Sequence, residues 1–176
     1  EGFEIAMGKF ITLALTDRVS VLILSEQSYV NNLCDYTGRC IRSIIRDAHN
    51  EALKARDVFT FAKEFACSLP VIQKNLVKNI PLGSCLEFCK AQSPEDASLI
   101  CDCLAHIYIG NLSEIEIDEL KESAPILLEL LEVAEVQPLA LALAGSLSQL
   151  NAFRAAFISD PKYAEFKARM NEFTSC

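Results

Sequence analysis

The chain has 176 residues and a net charge of −8, with 51% hydrophobic and 23% charged residues. That balance excludes a disordered tail and supplies enough apolar material for a sizeable core. The excess of acid argues against nucleic acid or an anionic membrane surface as a partner.

Taken in order, Phe3, Ile5, Ala6, Phe10, Ile11, Leu13 and Ala14 recur at helical spacing and predict a helix from Phe3 to Leu15. Thr16-Asp17 caps a short second helix through Leu24, and Ser25 or Ser28 starts another toward Asp35. Gly38 marks a break or a point of close packing. Beyond it, Cys40, Ile41, Ile44, Ile45 and Ala48 form one helical face. Arg39, Arg42 and Arg46 form the opposite one, a basic ridge on an amphipathic helix. Asn50 caps a helix from Glu51 to Ala66 with Ala55, Val58, Phe59, Ala62, Phe65 and Ala66 on its apolar face. Leu69-Pro70 opens a short helix through Val77, and Pro81 opens one that carries Cys85 and Cys89.

Ser93-Pro94-Glu95-Asp96 is a helix start: a hydroxyl to cap, a proline at the first position, and two acids against the positive end of the dipole. The helix it opens runs to Tyr108 and stops at Gly110-Asn111. Ser113 to Glu122 reads as a short acidic helix, and Ala124-Pro125 as the start of another. Gln137-Pro138 starts a helix over Leu139 to Leu150, Ala152 to Ile158 follows, and Asp160-Pro161 caps a last helix to Phe173. No strand-like alternation of useful length interrupts this series, so the fold class is all-α.

The apolar stretches at 5–25 and 124–150 are broken by Lys9, Asp17 and Arg18 and by Glu129, Glu132 and Glu135. Neither gives the run of about 18 apolar residues that a membrane span needs. Most of the eight cysteines sit inside helical periods: Cys85 and Cys89 share a face with Leu82 and Leu86, and Cys103 shares one with Leu99, Ile100 and Ile107. Such cysteines act as small core residues, which favours a reducing, cytoplasmic setting over a disulfide scaffold. The first residue is Glu rather than Met, so the expectation is a piece of a longer protein.

A period underlies the helices. Val58, Phe59, Ala62 and Ala66 align with Leu99, Ile100, Cys103 and Ile107, and these with Leu139, Ala140, Leu143 and Leu147, at offsets of 40 to 41. Ile41, Ile44 and Ile45 match Leu82, Cys85 and Leu86 in the same way. Pro81 and Pro125 are 44 apart. The stretch PLGSCLEFCKAQSPEDASLICDCLAHI resembles an armadillo-type unit, and APILLELLEVAEVQPLALALAGSL resembles a second copy. The resemblance to armadillo and HEAT repeats implies an α-solenoid within a single domain spanning 1–176. Its units lie at about 39–80, 81–123 and 124–158. A non-repetitive helical bundle is the alternative.

Residues 91 to 135 hold eleven acids and one base, Lys121, which would suit a basic partner or a solvated face. Cys85, Cys89, Cys101, Cys103 and His106 raise the question of zinc. They lie within helices rather than on the turns that structural zinc prefers. Cys103 and His106 lack a strained turn to present a nucleophile, and the six glycines are too scattered for a phosphate loop. The expectation is therefore no enzyme, no metal and no cofactor. What remains is surface. If the hairpins stack, the resemblance implies that the long helices line one wall carrying Asp57, Thr60, Glu64, Ser98, Asp102, Ala105, Ala142, Gly145 and Gln149. The ridge of Arg39, Arg42 and Arg46 offers a second surface, for an acidic peptide or phosphate. The function expected is a protein-interaction scaffold for a peptide or helix, with a regulator of a small GTPase as the alternative. Self-association, or the rest of a longer chain, would cover the ends of the array.

Overall fold

The structure, a computed structural model, describes residues 27–47, 54–68 and 70–174. The helices expected between Phe3 and Leu24, and the helix start expected at Asn50-Glu51, lie outside these residues. Among the described residues there are nine α-helices and no strand: α1 (Gln27–Arg46), α2 (Ala55–Ser68), α3 (Pro70–Asn79), α4 (Leu82–Lys90), α5 (Pro94–Tyr108), α6 (Ile117–Leu130), α7 (Gln137–Leu147), α8 (Asn151–Ser159) and α9 (Pro161–Thr174). One turn of 3-10 helix, Leu112–Glu114, sits between α5 and α6.

α1 runs unbroken through Gly38, so the expected break there is corrected and close packing is the residue's role. A Cβ at Gly38 would overlap the Asn79 carbonyl at the end of α3. That absence of side chain lets α1 lie directly on α3. α5 starts as the residues demand. Ser93 is extended (φ −61°, ψ 152°), and its hydroxyl accepts from the Asp96 amide at 3.2 Å. Gly110 follows α5 with φ 104°, the left-handed conformation that ends helices at little cost for glycine.

Two expected helix starts are corrected together. The short acidic helix and the one opening at Ala124-Pro125 are a single helix, α6, with Pro125 inside it. The boundary drawn at 123/124 thus falls within a helix. Proline removes one intrahelical hydrogen bond and usually kinks or breaks a helix interior. Packing overrides it here, because Leu120, Ser123, Ala124, Leu127, Leu128 and Leu130 bury the flank on either side.

The helices form two rows. α2, α5 and α7 lie side by side in one, and α4, α6 and α8 in the other. α3 bridges α1, α2 and α5, while α9 lies over α6 and α8. α5 is the centre: Ala97, Ile100, Cys101, Cys103, Leu104, Ile107 and Tyr108 are all buried, against α2, α3, α4 and α7. One continuous apolar core joins the rows, from Val30 and Ile41 through Phe59, Leu86 and Leu104 to Leu143 and Phe153. Among the described residues, no helix is long and apolar enough to cross a membrane.

Candidate functional site

The wall expected from the long helices maps onto the row α2–α5–α7. Asp57 and Glu64 are exposed on α2 with Thr60 half-buried between them. Ser98 and Asp102 are half-buried on α5. Ala142 and Gly145 are exposed on α7, and Gln149 is exposed in the turn after it. Ala105, expected on the same wall, is buried instead, because α5 is covered on more sides than an end helix would be.

The seam between α2 and α5 is polar. Lys63 pairs with the Asp102 carboxylate, and this bond is the main reason its ammonium titrates above the ordinary lysine range. The other Asp102 oxygen lies 3.2 Å from His106 Nδ1, which is also 2.8 Å from the Asp102 carbonyl oxygen. Gln73 of α3 donates to the His106 carbonyl. About two turns earlier, Arg56 bonds Asp96 at 2.9 Å and Glu95 at 3.5 Å, which pushes its guanidinium further toward the charged form. Asp102 is therefore engaged across the seam, whereas Asp57 and Glu64 make no ion pair among the described residues. Lys63 escaped the sequence reading because it lies on a helix flank. The signal that finds it is its separation of 39 residues from Asp102, close to the repeat offset.

A similar separation recurs through the molecule. Arg42 donates to the Asn79 carbonyl 37 residues on, and the Leu82 amide donates to Glu119 at the same separation. Lys74 pairs with Glu114, Lys90 with Glu129, and Arg169 with Glu132. These bonds consume much of the acidic middle. Lys74 and Lys78 hold the Glu114 carboxyl below its ordinary range, and Lys162 and Lys90 do the same to Glu129. Glu119 moves the other way, because burial outweighs the amides of Leu82 and Gly83 that it accepts.

The arginine ridge does not survive as one surface. Arg39 pairs with Asp35 at 3.3 Å, Arg42 is half-buried on the Asn79 carbonyl, and Arg46 alone is exposed without an ion pair among the described residues. The cysteine set is likewise dispersed. Cys85, Cys89, Cys101 and Cys103 are buried, and burial pushes the Cys85 and Cys103 thiols far up. Cys103 therefore has neither the access nor the ionisation of a nucleophile beside His106. Among the described residues, no group of three or more His, Cys, Asp or Glu side chains is placed to hold a metal ion.

No protein-family model, curated protein or solved structure matches this chain. A reading of its function therefore stands on the geometry alone. That geometry offers a row of three helices with exposed carboxylates at one end and small, uncharged side chains at the other.

Proposed function

We propose that the chain is an α-solenoid segment of armadillo/HEAT type and acts as a non-catalytic scaffold. The row α2–α5–α7 would receive a helix or peptide of a partner protein. The observation that carries this reading is the recurrent spacing of links between helices, seven of which are 37 to 40 residues long. Stacked units of one period make such links, and each unit then touches chiefly its neighbours. In keeping with this, α1 packs on α2, α3 and α4, and α8 on α6 and α9.

Asp57 and Glu64 would meet basic groups of the partner, and Ala142 and Gly145 would let its backbone come close. Photo-crosslinking residues placed at Thr60, Ser98 and Ala142 should capture one and the same protein, and one placed at Ala155 on α8 should not. Capture at Ala155 with silence at the other three would assign binding to the wrong face. Asp57→Lys with Glu64→Lys should weaken the crosslink at Thr60 about tenfold, as loss of two rim contacts of about 0.7 kcal/mol each would do.

A further inference from the structure

Cys89 and Cys101 face each other across the hairpin of α4 and α5, with their sulfurs 3.7 Å apart and both side chains fully buried. Cys89 Sγ also lies 3.2 Å from the Ala97 carbonyl oxygen, one turn before Cys101. The two helices pack against each other and are joined by a turn at Ala91, Gln92 and Ser93. The sulfurs are thus held in van der Waals contact by the packing of the hairpin itself.

We propose that Cys89 and Cys101 are a dithiol pair that closes into a disulfide when the protein meets a two-electron oxidant such as hydrogen peroxide. The chemistry balances with that oxidant alone. One sulfur attacks a peroxide oxygen, the O–O bond breaks, and the thiol proton leaves in the first water, giving a sulfenic acid. The second sulfur then attacks the first, the S–O bond breaks, and a second water leaves with the remaining thiol proton. Two electrons have passed from the sulfurs to the peroxide, and one S–S bond has formed.

Access follows from position. Cys89 is in the last turn of α4, whose C-terminal neighbours Ala91 and Ser93 are exposed, so fraying of one turn brings its sulfur to water. The hydrogen bond with Cys89, and burial after it, hold the Cys101 thiol in its protonated form, so closure is slow while that turn is wound. Ser98 and Asp102 lie on the α5 segment that the bond would tie to α4, so oxidation would stiffen the middle of the row α2–α5–α7. The pair itself stands whether or not that row receives a partner.

The test is a thiol map of the full chain. The reduced protein is treated with peroxide, denatured, alkylated and cut with trypsin. Cleavage after Lys78, Lys90 and Lys121 puts Cys85 and Cys89 on one peptide and Cys101 and Cys103 on another. The expected product is those two peptides joined through Cys89 and Cys101, two hydrogens lighter than the reduced pair and separated again by dithiothreitol. Cys85→Ser should retain the link, and Cys89→Ser should lose it. Recovery of both Cys89 and Cys101 in alkylated form after the exposed Cys67 is fully oxidised would overturn the proposal, and so would a link through Cys85 and Cys103. Because the wild-type map decides the matter, a variant that fails to fold does not shelter it. The oxidised chain should also unfold at higher urea than the reduced one. A lower midpoint would mean that the bond distorts the hairpin, and would overturn the claim that native packing sets the pair.

Discussion

The centre of the molecule and its C-terminal end are held by different forces. α4 and α5 bury Leu82, Cys85, Leu86, Cys89, Ile100, Leu104 and Ile107 completely or nearly so, with helices on several sides. Among the described residues, α9 packs chiefly on α6 and α8. It rests on half-buried Tyr163 and Phe166, on the ring contact of Phe157 with Tyr163 at 5.6 Å, and on the pairs Lys162–Glu129 and Arg169–Glu132. Beside it, Ile158 remains 53% exposed. Dense apolar packing fixes the centre, whereas the end is fastened by rings and by ion pairs that water and salt can loosen.

The sharpest way to break that contrast is to empty the centre. Leu104→Ala removes a fully buried side chain of α5 and should cost about 2–5 kcal/mol in urea unfolding. Phe166→Ala on the half-buried face of α9 should cost clearly less, because part of that ring is already in water. Equal losses would mean that the end is as tightly packed as the centre. Next in size is Gly38→Ala. Its new methyl would collide with the Asn79 carbonyl, and overpacking of this kind costs about 1–3 kcal/mol.

Charge gives smaller effects with a definite pH signature. Glu129 binds protons more weakly folded than unfolded, because Lys162 and Lys90 pair with its charged form. Its contribution is therefore present above its ordinary value of 4.5 and is lost as pH falls through the lower folded value. Glu129→Gln should destabilise by about 0.2–1 kcal/mol at neutral pH, with the difference from wild type closing in acid. Glu119 has the opposite sign, since burial raises its folded value above 4.5. The folded chain holds its proton more tightly, so stability falls as pH rises from 4.5 through that value. Glu119→Gln should remove this decline while its side-chain oxygen still accepts from the Leu82 amide. Parallel pH profiles for the two variants would contradict the assignment.

The all-α class and most helix boundaries were legible because their signals are local. Ser93 with Glu95 and Asp96, Gly110, and Asp160-Pro161 each act within one turn, and each does so in the fold. Pro125 misled because its own neighbours speak for a helix start, while the burial that carries the helix through it comes from α4 and α8. Gly38 was ambiguous for the same reason: the Asn79 carbonyl that requires a glycine there belongs to another helix. The wall residues on α2 and α7 lie where helical period puts them. Asp102 and Arg42 are instead turned to partners that lie 39 and 37 residues away. Composition shows an acidic middle, but not that Lys63, Lys74, Lys90, Lys162 and Arg169 reach it.

The stacking of neighbours is tested most directly by hydrogen exchange on a chain weakened at one end. Phe153 is fully buried in α8, and Phe153→Ala should lower amide protection there and in α6 and α9. If the helices depend chiefly on their neighbours, protection in α1, α2 and α3 stays at the wild-type level. A uniform drop from α1 to α9 would show one indivisible globule and contradict the account.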